Sequence, residues 1–322
     1  MSPQISSVNQ TDSPQPSIAI VGAGAIGQLL FHQLASAGQA PLLIGRQQAS
    51  TDNRPTLLQF TDLKGVPSTR TAQVIIPNSD EAQADLKHIT LLIVCVKAYQ
   101  VIETLKPLLP RLNRECQLLL LHNGMGPHLA LAPYLNGRTL CLGTTSQGAL
   151  KQQRWQVRQT GAGLTQLGLF SGPKLTQTTK THLLNAIPNS QWCSDIIPML
   201  WQKLAVNIAI NPLTAIYQCR NGALAAPQYR HTILGLLDEV ILVAQAEQVP
   251  LAREPLITRV FDVIHLTANN FSSMYQDIAH RRPTEIDAIT GYLIQRAATH
   301  GIPTPHNQAI YQQLTTLEQR SN

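Results

Sequence analysis

The chain has 322 residues, 43% of them hydrophobic and only 13% charged, with a formal net charge of +6 at pH 7. That length suffices for two domains of ordinary size, each with its own core, while charge at about half the usual share of roughly 25% leaves polar ligands to a few ions and many amides. The basic residues are scattered, Arg281-Arg282 being the only adjacent pair, and aromatics are 5%, so the cationic stripe and stacking platforms of a nucleic-acid binder are missing and an anionic small molecule is the fitting ligand.

Residues 1–16 are rich in Ser, Gln and Pro and lack a basic n-region and an apolar h-region, so they read as a disordered tail rather than a signal peptide. From Ser17 short apolar runs alternate with helical patterns. Strands are expected at Ser17–Val21, Pro41–Ile44, Ile89–Val96, Cys116–Leu121 and Thr139–Leu142, and helices at Ala25–Ala37, Tyr99–Leu109 and Met125–Leu135. The run ITLLIVCV is apolar almost throughout, as a parallel strand covered on both faces must be. Alternating βα units of this kind specify a doubly wound sheet. Gln156–Phe170 alternates more loosely around Gly161, Gly163 and Gly168 and reads as two edge strands joined in a hairpin.

From Asp195 strand-like runs vanish. Helical periodicity continues through Ile196–Tyr217, Tyr229–Gln248, Pro255–Asn269, Glu285–His300 and Asn307–Glu318, broken at Pro250, Pro283 and residues 301–305. The expected architecture is therefore an α/β, Rossmann-type doubly wound domain over residues 17–194, followed by an all-α domain over 195–322. The cysteines (Cys95, Cys116, Cys141, Cys193, Cys219) are far apart and form no C-x-x-C pair, which argues against a disulfide framework and a zinc site. The histidines show no ligand spacing, so no metal is expected. No apolar run approaches the roughly 18 residues of a membrane span, and a reducing, cytoplasmic setting is the expectation.

The first chemical signal is Gly22-Ala23-Gly24-Ala25-Ile26-Gly27, which follows the apolar strand IAIV and opens an amphipathic helix. Gly22 makes the tight turn, Gly24 lets the backbone approach a pyrophosphate, and Gly27 lets helix pack on strand. The helix then offers free N–H groups and its positive dipole end to the phosphates. The second expected strand ends in Ile44-Gly45-Arg46, with no acid until Asp52. An NAD site usually places Asp or Glu there; Arg46 would instead fork onto a 2′-phosphate, the alternative being a solvated surface arginine. Two further strands end in polar residues at the ligand edge, Lys97 and the His122-Asn123-Gly124-Met125-Gly126 turn. Both residues would face the nicotinamide end of the crevice, although a strand-end lysine also serves solvation, and Asn123 also suits a plain turn.

In Trp201–Asn211 the polar residues Lys203, Asn207 and Asn211 recur every four positions and share one helix face, framed by Trp201, Leu204, Ala205 and Ile208. One lysine among amides in an apolar frame suits a carboxylate and a carbonyl better than it suits solvent. Pro212 is expected to kink this helix. A second polar group is Asn269–Met274. A third is Thr284–Asp287, where Thr284 is the expected N-cap, Asp287 stands at N3 and Glu285 lies in the first turn, either as a site carboxylate or simply as a partner for the helix dipole.

With these motifs in place the sequence resembles the ketopantoate reductase (2-dehydropantoate 2-reductase) family from Ser17 to near its end. G-A-G-A-I-G, L-K-A-Y-Q, H-N-G-M-G, W-Q-K-L-A-V-N, I-N-P-L-T-A-I, N-F-S-S-M-Y-Q-D and T-E-I-D fall in the family's order and spacing. The first 16 residues have no counterpart, and Asn269 stands where family members often have Glu. The resemblance implies hydride transfer from NADPH to the keto carbon of 2-dehydropantoate, giving pantoate for pantothenate and coenzyme A synthesis, in a monomer or homodimer. By that resemblance Lys203 is the proton donor and Glu285 the carboxylate that supports it. Asn207, Asn211, Asn221, Asn270 and Ser273 hold the substrate. Lys97, Asn123 and Ala149 join Arg46 and residues Gly22, Ala23, Gly24, Ala25, Ile26 and Gly27 around NADPH/NADP+. An ionised Glu285 beside Lys203 is expected to help keep it protonated at neutral pH. Two other readings remain: a reductase of the same fold acting on another 2-keto acid, and a non-catalytic NADP(H)-sensing protein.

Overall fold

The computed structural model describes residues 17–45, 56–77 and 82–321; the N-terminal tail and Arg46 lie outside them. In chain order the first half runs β1 (Ile18–Val21), α1 (Ala25–Ser36), β2 (Leu42–Ile44), β3 (Thr56–Thr61), β4 (Pro67–Ala72), β5 (Val74–Ile75), α2 (Ala82–His88), β6 (Leu91–Val94), α3 (Val101–Leu108), β7 (Gln117–Leu120), α4 (Pro127–Leu131), β8 (Leu140–Thr145), β9 (Gly148–Gln153), β10 (Gln156–Gly161), β11 (Thr165–Ser171), α5 (Gln177–Ala186) and β12 (Ser190–Cys193). The second half is helical: α6 (Ile197–Ile216), α7 (Pro227–Ala246), α8 (Arg253–Leu266), α9 (Ser273–Ala279), α10 (Tyr292–Thr299) entered through a π-type turn at Asp287–Gly291, and α11 (Pro305–Ser321).

The main sheet has eight strands in the order β12-β11-β8-β7-β6-β1-β2-β5. The strands from β5 across to β8 run parallel to one another, β11 is antiparallel to β8, and β12 is parallel to β11. β1, β6 and β7 are buried at every position, which suits apolar strands with helices on both faces. The chain leaves β1 toward β2 on one side and later places β6 on the other. This reversal is the topological switch point at which open α/β sheets form their ligand crevice.

A separate four-stranded sheet, β4-β3-β10-β9, stands beside the first, and it corrects the expected hairpin over Gln156–Phe170. β10 pairs with β9 and β3 in the small sheet, whereas β11 pairs with β8 and β12 in the large one. The crossing uses Gly163, at φ +36°, where a Cβ would stand 2.2 Å from Gln147 N. Alternation revealed two strands here but not their partners. Pro212 lies inside α6, which runs on past it to Ile216, and the Thr214 hydroxyl just beyond it is 3.0 Å from the carbonyl oxygens of both Ile210 and Asn211.

The packing departs from two separate cores. One continuous cluster joins a face of the main sheet (Leu92, Val94, Leu118, Leu120) to the helices (Trp201, Leu204, Ile208, Leu236, Val260, Leu293), while a second cluster lies on the sheet's other face under α1 and α5. α6 carries the shared core, since its apolar positions (Leu204, Ala205, Ile208, Ala209) are buried. Its polar stripe is thereby held at a fixed height against the ligand edge of the sheet. Among the described residues, no helix is long and apolar enough to cross a membrane.

Candidate active site

Between the sheet's ligand edge and the helices lies a crevice of about 1430 Å³. Its first wall is the glycine turn. Gly22 sits at φ +100°, and a Cβ there would be 2.6 Å from the backbone of Cys95 and Val96. At Gly27 a Cβ would meet the Gly22 carbonyl oxygen at 2.0 Å. Both positions therefore require glycine, for the turn and for helix-on-strand contact. Gly24 is different: among the described residues nothing lies within 4 Å of its missing Cβ, so the open side of the turn leaves room for a ligand. Gly24 caps α1 without a side-chain hydrogen bond, and no acid stands in the first turn, which leaves backbone N–H groups and the dipole available to an anion. Gln28 fastens this wall to the small sheet by donating from Nε2 to the carbonyls of Ala23 and Arg154, each at 3.0 Å.

The second wall is ionic. Lys97, just beyond β6, donates to Asp277 Oδ2 at 2.7 Å and to Glu285 Oε2 at 3.3 Å. Glu285 is 5% exposed. Its Oε1 accepts from Ala98 N at 3.0 Å, and its Oε2 also accepts from Asn123 Nδ2 at 3.1 Å. It is thus a buried carboxylate lining the crevice rather than a solvated partner for the helix dipole. Thr284 does cap this turn, accepting from Ile286 N at 3.2 Å, but Asp287 does not close a capping box; it takes the Tyr311 hydroxyl at 2.7 Å. The π-type turn after Glu285 directs the Ala288 carbonyl at Met125 N, 2.7 Å away, and a Cβ on Gly124 would strike that carbonyl oxygen at 2.3 Å. The His122–Gly126 turn is thereby docked on the segment that carries Glu285.

The third wall is α6. Lys203 Nζ donates to Thr145 O at 2.7 Å and to Asn123 Oδ1 at 3.1 Å. An ammonium has three N–H bonds, so a further donor remains for a ligand in the crevice that Lys203 lines. Asn123 is more than a turn former, because its amide bridges Lys203 and Glu285. Those two ends make no direct ion pair among the described residues. Desolvation pulls the Lys203 ammonium down to about 8, against the pull of the Glu285 charge. Lys97 moves the other way: burial would lower it, but Glu285 and Asp277 hold it above the usual lysine range. Burial raises the Asp277 carboxyl, with Lys97 and Arg282 opposing. Burial keeps His122 neutral to lower pH than usual, and its Nδ1 lies 3.0 Å from the Asn123 carbonyl oxygen.

The crevice brings together Gly22, Ala23, Gly24, Ala25, Ile26, Lys97, Asn123, Ala149, Lys203, Asn270, Ser273 and Glu285. Gly27 stands behind the turn as a packing residue. Asn207, Asn211 and Asn221 are outside the crevice lining. Asn211 and Asn221 are buried, and Asn221 donates from Nδ2 to Thr267 Oγ1 at 2.8 Å and from its backbone N to Asn270 O at 3.0 Å, which shapes the loop bearing Asn270. The Asn207 amide nitrogen is sunk without a partner among the described residues. Sequence reasoning missed Asp277, Thr145 and Gln147. Asp277 lay inside a quoted motif without a role. Its signal was a carboxylate two positions beyond Tyr275 in a short helix whose other residues are mostly uncharged.

A Rossmann-type sheet with a glycine turn, closed by a helical half that contributes a lysine and a carboxylate, defines the class of two-part dinucleotide-binding proteins with a charged second wall. Within that class, the family described as "Ketopantoate reductase PanE/ApbA" matches residues 18–172, and its "C terminal" counterpart matches 195–318. A 2-dehydropantoate 2-reductase of Vibrio cholerae is 45% identical over 303 residues, 94% of this chain and 98% of the relative. One of Yersinia pestis is 36% identical over 313 residues, 94% and 95% of the two chains. The chain belongs to the ketopantoate reductase family. The fold recurs in a PanE/ApbA family ketopantoate reductase from Ralstonia eutropha JMP134 (TM-score 0.84, 24% identity, covering 95% and 99%). It also recurs in a D-mandelate dehydrogenase solved with NADH and anilino(oxo)acetate (TM-score 0.85, 23% identity, covering 95% and 99%).

Proposed function

We propose that the protein is an NADP-dependent 2-dehydropantoate 2-reductase, reducing ketopantoate to pantoate in the cytoplasm as a step toward pantothenate and coenzyme A, with residues 17–194 holding NADPH and residues 195–322 supplying the substrate side. The observation that carries the reading is the Lys203–Asn123–Glu285 chain, which lines the same crevice as the glycine turn. The open space at Gly24 and the uncapped start of α1 fit a dinucleotide's phosphates. The cofactor supplies the hydride. Lys203 does the rest: its remaining N–H points a cation at the oxygen that gains charge and then delivers the proton. Asn270, just before α9, and Ser273, its first residue, orient the carboxylate and hydroxyl of the substrate. Mixing the purified protein with NADPH and ketopantoate and following the loss of nicotinamide absorbance tests this; no loss with ketopantoate, or a faster loss with another 2-keto acid, overturns the substrate assignment.

Arg46 is proposed to select NADPH by forking onto the 2′-phosphate. Arg46→Ala is expected to lose about 1.5–3 kcal/mol, the usual size of a hydrogen bond to a charged group, or roughly 10- to 150-fold in NADPH affinity. NADH binding is expected to stay nearly unchanged. Titration of both cofactors checks it, and unaltered NADPH affinity removes Arg46 from the site.

A further inference from the structure

Thr145 ends β8, and its partner across the antiparallel ladder is Thr165. Thr165 N turns away from that ladder to Asn189 O at 3.0 Å, and the next bond between the strands is Ser146 N to Leu164 O at 2.9 Å. The 145/165 pair is therefore one that exchanges no backbone bonds, the kind in which side chains stand closest. Two things follow. The two hydroxyl oxygens lie 2.8 Å apart. The Thr145 carbonyl faces the opposite side, beyond the last paired residue of β7, where Lys203 donates to it at 2.7 Å.

Gln147 pins this pair from both ends. Its backbone N donates to Thr145 Oγ1 at 3.1 Å, and its Nε2 donates to Thr165 Oγ1 at 3.0 Å. Its Oε1 accepts from Gln33 Nε2 of α1 at 2.6 Å. Gln33, Gln147 and Thr165 are 9%, 6% and 0% exposed, so water does not readily replace a lost partner here. Thr145 is β-branched, and holding its hydroxyl holds its rotamer and the backbone that carries the acceptor carbonyl.

We infer that Gln147 and Thr165 are positioning residues for Lys203: through the Thr145 side chain they fix the carbonyl that orients the ammonium, leaving its remaining N–H aimed into the crevice. This rests on Lys203 being the proton donor of the reaction proposed above. The carbonyl accepts from the charged form of the lysine and so favours it. Releasing the carbonyl is expected both to misdirect the proton and to make the ammonium more acidic.

The test uses Thr165→Val, which keeps the shape and removes the hydroxyl, Thr165→Ser, which restores it, and Gln147→Met. In the full-length protein, two readouts are taken: kcat against pH, and the titration midpoint of Lys203 followed by NMR of its labelled side chain without substrate. Thr165→Val and Gln147→Met are expected to lower kcat about ten- to a hundredfold, a loss of the kind small misplacements produce. They are also expected to shift the Lys203 midpoint and the alkaline limb to lower pH, with NADPH affinity unchanged in Thr165→Val, whose site is buried outside the crevice lining, and Thr165→Ser close to wild type. If Thr165→Val fails to fold, Gln147→Met decides by the same readouts. A folded variant that keeps its rate overturns the inference. So does one that loses rate while the Lys203 midpoint stays in place, because the hydroxyls would then only stiffen the strand. If the wild type does not reduce ketopantoate, the proposed reaction fails instead, and the NMR midpoint still decides whether the network sets Lys203.

Discussion

Two lysines enter one crevice from opposite regions, and their surroundings drive them apart. At the end of β6, Lys97 faces two carboxylates and is held above the usual lysine range. On α6, Lys203 meets only neutral acceptors among the described residues, a carbonyl and an amide, and desolvation brings it to about 8. One region strengthens a lysine's hold on its proton; the other weakens it. Groups in one site whose environments separate their proton affinities mark different chemical roles. Asn123 is the hinge of the contrast, since one amide serves the Glu285 carboxylate with its N–H and Lys203 with its oxygen.

The strongest test of the contrast is Lys203→Ala. A positioned general acid contributes roughly 10²- to 10⁴-fold, so kcat is expected to fall at least about a hundredfold, some 2.7 kcal/mol at 1.36 kcal/mol per tenfold. NADPH affinity is expected to survive, because the glycine turn belongs to the other wall. The wild-type rate is expected to decline as pH rises through about 8, where Lys203 loses its proton. That limb is expected to vanish in the residual activity of the variant. Near-normal kcat would move the proton to another donor, and Lys97 would be the next to try.

Changing Lys97 is expected to act on stability before chemistry. Lys97→Ala strands the buried Asp277 and Glu285 with fewer partners. Breaking a fully buried pair costs about 3–5 kcal/mol, and the lysine side chain is 33% exposed, so about 1–3 kcal/mol is expected after solvent screening. The shift of the urea midpoint measures it, and an unmoved midpoint would show that the ion pairs contribute nothing to holding sheet and helices together.

Asn123→Ala removes the bridge between the two regions and is expected to lower kcat about tenfold, a loss of roughly 1.4 kcal/mol. Pre-steady-state hydride transfer is the cleaner readout, because product release cannot mask it. The smallest effect is expected from Glu285→Gln, read as a displaced pH limb. The Glu285 charge raises the Lys203 proton affinity against desolvation, so neutralising it lets the midpoint drop further below about 8. A limb that moves to higher pH would reverse the electrostatic assignment.

The parts of this site that could be read without coordinates share one property: they are local. The apolar runs that hold β1 and β6, the Gly22–Gly27 turn between strand and helix, and the four-residue spacing of Lys203, Asn207 and Asn211 are each set by residues a few positions apart. Side-chain periodicity and backbone sterics act over that range. Within that stripe Lys203 lines the crevice, whereas Asn211 is buried outside its lining.

What lies beyond that range was decided by the tertiary structure. Lys203 meets an amide 80 residues away, and Lys97 meets a carboxylate 188 residues away. No spacing rule encodes which strand end will stand opposite which helix turn. The same holds for β10 and β11, adjacent in sequence and placed in different sheets, and for the 145/165 pair whose unpaired carbonyl receives Lys203. The sequence by itself determined that a glycine turn, a lysine face and a carboxylate turn would exist. Their meeting depends on α6 burying its apolar positions in the core it shares with the sheet, which sets its polar stripe at the height of Asn123 and Thr145. Burial of apolar area is non-directional, so it drives the halves together without specifying register; the register comes from close packing, such as Gly124 against the Ala288 carbonyl, and that exists only once the chain has folded.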